Sequence, residues 1–153
     1  MKREALAGLF VAAGAVAALA GPVLNPKWGA IFPPNLAHTL LSQCSRSVPK
    51  ADGTWIPDQK QIAALEKGLV AALAVADAAQ NYKRDIIHTA RQYAGITIAG
   101  SKRIYVNGFP SQMDSGDWRH RAMVVCDGGP AFFGVEYDPA ERTFSGFAFN
   151  GVA

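Results

Sequence analysis

The chain has 153 residues, of which 50% are hydrophobic, 18% charged and 10% aromatic, and this is enough for one domain of ordinary size. The composition excludes collagen-like, coiled-coil and wholly disordered chains. Fifteen lysines and arginines against twelve aspartates and glutamates leave a net charge of +3, which is too small and too dispersed to indicate nucleic-acid binding.

The first twenty residues have the pattern of a secretory leader. Lys2 and Arg3 precede an uncharged, Ala-rich run that ends in Ala18-Leu19-Ala20, a small-x-small sequence of the kind that signal peptidase cleaves. Pro22 stops the run before the roughly 20 strongly apolar residues that a membrane span needs. We therefore predict a signal peptide over residues 1–20, with retention of the leader as an anchor as the alternative.

Export places the mature chain in the bacterial periplasm or outside the cell, with the membrane contacted only in transit. In such an oxidising compartment the isolated pair Cys44 and Cys126 is most simply a disulfide. The alternative is a Cys126 thiolate nucleophile with His88 or His120 as its base, but no signature of a thiol hydrolase surrounds it. The cysteines thus predict a structural cross-link.

The mature chain begins with an extended segment. Residues 21–34 contain four prolines among apolar side chains and predict an arm that lies across the domain. Residues 35–153 are expected to form a single α+β domain. Asn35 predicts the start of a short helix to about Arg46, and residues 47–57 predict a loop.

The strongest helical pattern starts at Asp58. Gln61 stands three residues after this N-cap, and apolar residues follow at helical spacing to about Gln80. The apolar stripe is typical of a helix that packs on a core.

After Tyr93 the apolar period changes to two. Two alternating runs on either side of residues 99–102 predict a hairpin, and three more runs predict further strands. These three runs cover residues 122–126, 132–137 and 143–150. Because the connections are short, we expect one long helix packed on a four- to five-stranded antiparallel meander.

The most distinctive segment, VCDGGPAFFGVEYDP at 125–139, contains an Asp-Gly-Gly turn with two glycines suited to positive φ. With RIYVNGF at 103–109 and FAFNG at 147–151, it resembles a group of small exported bacterial proteins without an assigned activity. The order of a long helix and then antiparallel strands also resembles the cystatin-like and nuclear-transport-factor-2-like rolls. Such rolls host enzymes, inhibitors and binding modules, so the resemblance implies a fold and no catalytic residue.

Common catalytic and metal-binding patterns do not occur in the sequence. There is no Walker loop, nucleophile elbow or dinucleotide fingerprint, and Asp114 and Asp117 lack the other ligands of a calcium loop. Glu136 and Asp138 share strand parity but stand beside a turn, where solvation is expected. The histidines match no zinc spacing; they are His38, His88 and His120. We predict no catalytic residue, no metal and no cofactor.

One polar loop combines a large aromatic residue with charges of both signs, as recognition surfaces do. Its candidate binding residues are Asp114, Asp117, Trp118, Arg119, His120 and Arg121. The alternative is that Trp118 caps the core while the charges are solvated. The loop makes an envelope protein the expected partner, and the sequence leaves the partner's identity and the oligomeric state open.

Two functions remain beside a purely structural role in the envelope. The first is an exported, non-catalytic envelope domain that binds a protein, as an inhibitor or immunity protein does. The second is a small-molecule-binding or enzymatic roll with a pocket between helix and sheet, where Glu136 or Asp127 supplies a polar group. Strand parity puts Phe147 and Phe149 on one face and Phe144 on the other, so some rings are free to line such a pocket.

Overall fold

A computed structural model gives the fold of residues 24–25, 29–113 and 117–153, with side chains from residue 29 onward. The described part of the chain is α+β, with two helices and a mixed sheet. The helices are α1 (Pro34–Leu40) and α2 (Gln59–Ala79). The strands are β1 (Leu24–Asn25), β2 (Gly29–Phe32), β3 (Gly53–Trp55), β4 (Thr89–Ile98), β5 (Ser101–Pro110), β6 (Phe133–Asp138) and β7 (Thr143–Phe149). Short 3-10 turns cover Ile86–His88 and Gly129–Ala131. The predicted signal peptide, most of residues 21–28 and Asp114 lie outside the described residues.

The sheet has the strand order β1-β2-β4-β5-β6-β7, and β3 also pairs with β4. Strands β4 to β7 are antiparallel to their chain neighbours, but β2 is parallel to β4. The sheet is therefore mixed, and the antiparallel meander that the sequence predicts is limited to β4–β7. The physical reason lies in the arm, whose Ala30, Ile31 and Phe32 are buried. The arm gains this burial by pairing with the free edge of β4 in place of crossing the domain surface.

Helix α2 begins as the sequence predicts. The Asp58 carboxylate accepts a hydrogen bond from the Gln61 backbone N–H, and the Gln61 side chain accepts one from the Asp58 N–H. This reciprocal capping box satisfies two amides that the first helical turn leaves unpaired. Four buried residues then form its inner stripe: Ile62, Leu65, Leu69 and Leu73. They share one core cluster with sheet residues such as Tyr93, Val106 and Val135, and we call this side of the sheet the α2 face.

The opposite side, the α1 face, is covered by α1 and irregular segments. Its core cluster includes Phe32, Leu40, Ile96 and Tyr105. Helix α1 is shorter than predicted and ends at Leu40. The chain turns there, and the Arg46 side chain, expected at the helix end, is instead buried against the sheet.

Hairpin β4–β5 has the predicted position, and its two-residue turn consists of Ala99 and Gly100, both with positive φ. Strand β7 differs from simple alternation. The register between β6 and β7 shifts near Glu136, and Gly146 on β7 has a φ of +64°. Together these features are the geometry of a β-bulge. The extra residue resets strand parity, so Phe144, Phe147 and Phe149 all pack against the α2-face core. The expected division of these rings between two faces is wrong.

Candidate functional site

Residues 117–127, here called the 117–127 loop, cross the α1 face without joining the sheet. Residues 122–126 were expected to form a strand, but they have no strand partner. Their backbone bonds instead to amide side chains that project from the folded body. The expected hairpin turn at residues 127–130 becomes a 3-10 turn, although Gly128 and Gly129 do have positive φ.

Gln92 on β4 is fully buried and holds three points of the loop. Its Nε2 donates to the carbonyl of Trp118 and, at 2.7 Å, to that of Arg121. Its Oε1 accepts from the backbone N–H of Met123 at 2.9 Å. An unpaired buried amide or carbonyl is costly, so these bonds fix the loop backbone where a strand partner would otherwise do so.

Two asparagines extend the same arrangement along the loop. Asn107 Nδ2 donates to the Met123 carbonyl at 2.9 Å, and Asn150 Nδ2 donates to the carbonyls of Val125 and Asp127 at 2.6 and 3.0 Å. Both asparagines are buried. The loop is thus bonded at nearly every second residue.

Arg46 supports these two asparagines from the side. Its guanidinium donates to Asn150 Oδ1 at 2.6 Å, to Asn107 Oδ1, and to the Tyr105 hydroxyl at 3.4 Å. Because the guanidinium binds Oδ1 of each asparagine, the Nδ2 of each side chain points to the loop. Burial raises the pKa of the Tyr105 hydroxyl, with the nearby Arg46 acting in the opposite direction, so Tyr105 is present as the neutral phenol.

A disulfide joins the far end of the loop to the segment after α1. Cys44 and Cys126 are bonded, with their Cα atoms 5.0 Å apart and 82 positions apart in sequence. The predicted cross-link is confirmed. Both cysteines lie at the surface, and since their sulfurs are bonded to each other, the alternative of a Cys126 nucleophile does not apply.

The described members of the predicted binding set divide into half-buried and exposed residues. The Trp118 ring is half-buried and packs edge-on against Phe109, with ring centroids 5.6 Å apart. The Arg119 guanidinium lies 4.4 Å from the centre of the Trp118 ring. Asp117, His120 and Arg121 are exposed. The Trp118 ring therefore helps to close the core, while its neighbours present charge to solvent.

A tight turn fixes the spacing of these charged residues. The backbone N–H groups of His120 and Arg121 both donate to the Asp117 carbonyl at 2.9 Å. With the Trp118 and Arg121 carbonyls tied to Gln92, both ends of this turn are attached to the sheet. The arrangement can present an ordered set of charges to a partner.

Two buried ion pairs on the other face are structural. Arg91 binds the Glu66 carboxylate through Nε at 2.8 Å and Nη2 at 2.5 Å, and Tyr93 donates to the same carboxylate. Burial is the main cause that raises the pKa of the Tyr93 hydroxyl, and the Glu66 charge adds to it. At the other end of α2, Arg84 binds Asp77 at 3.0 Å. The first pair attaches α2 to β4, and the second attaches it to the segment after the helix, whose Arg84 also donates to the carbonyls of Pro130 and Ala131 in the 3-10 turn.

The acids considered for a pocket do not belong to the core between α2 and the sheet. Asp138 is paired with Arg103 at 2.8 Å, Asp127 is exposed, and Glu136 is half-buried. Burial raises the pKa of the Glu136 carboxyl, and the nearby Arg103 opposes this. An open depression of about 480 Å³ lies beside the Arg103–Asp138 pair, between the start of β5 and the turn after β6. Between α2 and the sheet, the apolar side chains of both layers pack against each other.

Residues 24–25, 29–113 and 117–153 contain neither a metal-binding group nor a membrane-spanning helix. In these ranges no three His, Cys, Asp or Glu side chains are grouped so as to hold a metal ion. Within the same part of the chain no helix has both the length and the apolar character needed to cross a bilayer.

Comparisons with known proteins leave the family open. No family model, curated protein or solved structure matches this chain. The resemblance of the VCDGGPAFFGVEYDP segment to small exported proteins therefore stays a prediction.

Sequence reasoning did not find the residues that hold the 117–127 loop, which are Arg46, Gln92, Asn107 and Asn150. A signal for two of them was present. Asn107 lies two residues from both Tyr105 and Phe109 on β5 and so shares their face, and Gln92 shares a face of β4 with Ala90 and Ala94 in the same way. A polar amide in the buried register of a strand indicates an internal hydrogen-bond network.

Proposed function

We propose that this chain is an exported, non-catalytic envelope domain that binds another protein through the exposed turn of the 117–127 loop. An inhibitor or immunity protein acts in this way. The observation that carries the proposal is the attachment of an irregular, charged loop to the sheet by buried amides and a disulfide.

Rigid attachment supports binding for an energetic reason. Ordering a mobile loop upon association costs conformational entropy, and a loop that is already fixed avoids this cost. Burial of Gln92 and Arg46 also costs desolvation free energy, which apolar residues on this face would not require. This cost supports a functional role for the shape of the loop.

The proposal includes cleavage of residues 1–20 and residence in the periplasm or outside the cell. The disulfide supports it, because such bonds persist in oxidising compartments. Mass spectrometry of the protein from the producing cells should find a chain that starts near Gly21 and contains no free thiol. An intact leader with two alkylated cysteines would contradict this part of the proposal.

Site-specific photo-cross-linking tests the binding surface. A photoreactive phenylalanine at position 120 should form one discrete protein adduct in the producing cells, because His120 is exposed on the turn. The same group at position 83, where exposed Lys83 lies far along the chain from the loop, serves as the matched control. The adducted protein, once purified, should bind the wild-type chain. Absence of an adduct at position 120, or equal adducts at both positions, would count against the proposal.

The second candidate is a roll with a pocket between helix and sheet. The packing of apolar side chains across that interface favours the binding protein over this candidate.

A further inference from the structure

We infer that the partner presents carboxylates, and that Arg119 and Arg121 are the residues that bind them. The inference rests on the proposed protein-binding role and specifies the chemistry of the partner. It starts from the ion pairs in the described ranges, where Arg84, Arg91 and Arg103 each pair with an acid. Within those same ranges, Arg119 and Arg121 form no ion pair, although Asp117 is close to them in sequence.

The position of Arg119 prepares its guanidinium for a planar acceptor. The central carbon of the group lies over the Trp118 ring, 4.4 Å from the ring centre. A cation–π contact of this kind leaves N–H groups of the guanidinium available, and their fork matches the two oxygens of a carboxylate. The Trp118 ring is itself held by Phe109, so the cation rests on a fixed support.

Arg121 is placed two residues further on, with its backbone carbonyl bonded to Gln92 at 2.7 Å and its side chain exposed. The two arginines therefore start from a backbone that is fixed by the same buried glutamine. A pair of cations at a set spacing can select a pair of acids at a matching spacing, which gives register as well as attraction.

The sign pattern of the surface favours an acidic protein over an anionic membrane or polymer. Asp117 at one end of the loop and Asp127 at the other are both exposed. A continuous polyanion would meet these like charges, whereas discrete carboxylates on a protein can avoid them. Exposed Val124 adds apolar surface between the charges, as protein interfaces commonly do.

Charge removal tests the inference on the partner identified by cross-linking at position 120. The double variant Arg119→Gln/Arg121→Gln should bind the purified partner roughly 10- to 100-fold more weakly. Arg142→Gln is the matched control, because Arg142 is an exposed arginine in the turn between β6 and β7, and it should change affinity less than about twofold. An unchanged affinity of the double variant would overturn the inference while the adduct at position 120 still supported protein binding.

Zero-length coupling identifies the groups that the arginines contact. With Arg121→Lys, a carbodiimide should join the new lysine amine to an Asp or Glu of the partner as an amide, and peptide sequencing should locate the bond. Coupling to no partner carboxylate would contradict the inference. Flotation with phosphatidylglycerol vesicles examines the other class of anion. If the wild-type chain floats with the vesicles and the double variant does not, the ligand of the two arginines is an anionic membrane, and the inference of an acidic protein is overturned.

Discussion

Asn107 donates a hydrogen bond from Nδ2 to Oε1 of Gln92 at 2.8 Å, from β5 to the neighbouring strand β4, and both side chains are buried. Gln92 Oε1 also accepts from the loop at Met123. This single oxygen therefore connects two strands and the candidate binding surface. Because each amide orients the other, the loop and the sheet are expected to lose their order together.

Replacement of Gln92 by Met tests this connection with little change of volume. The variant leaves the carbonyls of Trp118 and Arg121 and the N–H of Met123 without their partner. We expect a loss of about 3 kcal/mol in the free energy of unfolding, measured by urea denaturation. Gln112→Met, at an exposed position, should change it by less than about 0.5 kcal/mol. Equal stability of the two variants would mean that the amide bonds hold no part of the loop.

The disulfide is expected to stabilise the fold through the unfolded state. Cys44 and Cys126 are separated by 82 positions, and closing a loop of this length contributes about 4.5 kcal/mol in the chain-entropy description. The double variant Cys44→Ser/Cys126→Ser should therefore unfold at a clearly lower urea midpoint. The wild type in a reducing agent should follow the same curve. A midpoint unaffected by the reductant would contradict a stabilising role.

Gly108 on β5 faces Phe133 on β6, and the Phe133 ring covers it. A Cβ atom at position 108 would stand 2.0 Å from the ring, which is fully buried and has Arg84 at 4.7 Å from its centre. The ring has no room to move, so Gly108→Ala should cost about 2 to 3 kcal/mol of stability. Gly151→Ala is the control, because its Cβ would meet only Ser45 Oγ at 3.3 Å. Similar midpoints for both in urea would show that the sheet adjusts at little cost.

Glu136 gives a prediction about pH. Burial raises its pKa above the ordinary value of 4.5, so the folded state holds this proton more tightly than the unfolded chain does. The stability associated with the group is then greatest below pH 4.5 and falls as the pH rises through the folded-state pKa. Glu136→Gln removes the charge and should raise Tm at pH 7 but not at pH 3.5.

Calorimetry at the two pH values measures this difference. Glu141→Gln is the control, since the Glu141 side chain is exposed in the turn after β6 and its substitution should leave Tm nearly unchanged. A gain for Glu136→Gln of the same size at both pH values would indicate that new contacts of the amide, and not the lost charge, are responsible.

Local patterns predicted several elements correctly. The Asp58–Gln61 capping box and the apolar spacing after it located α2, and the change of period located the β4–β5 hairpin. These features are encoded within a few residues, so no distant contact is needed to form them. The strand expected over residues 122–126 has the same local appearance, and it failed because a strand also needs a neighbouring edge.

The candidate site was predictable only in part. Trp118 and the charges around it stand out in the sequence because of their types and their closeness. The residues that fix them come from distant parts of the chain: Arg46 follows α1, Gln92 and Asn107 belong to β4 and β5, and Asn150 follows β7. No short-range pattern joins such positions.

The amino-acid sequence by itself determined the capped helix, the hairpin and the pairing of the two cysteines, because each depends on near neighbours or on there being one possible partner. Only the tertiary structure decided that the N-terminal arm pairs in parallel with β4, that a bulge turns Phe144 toward the core, and that amides hold the 117–127 loop. Each of these outcomes depends on which free edge or buried polar group another part of the chain leaves to be satisfied.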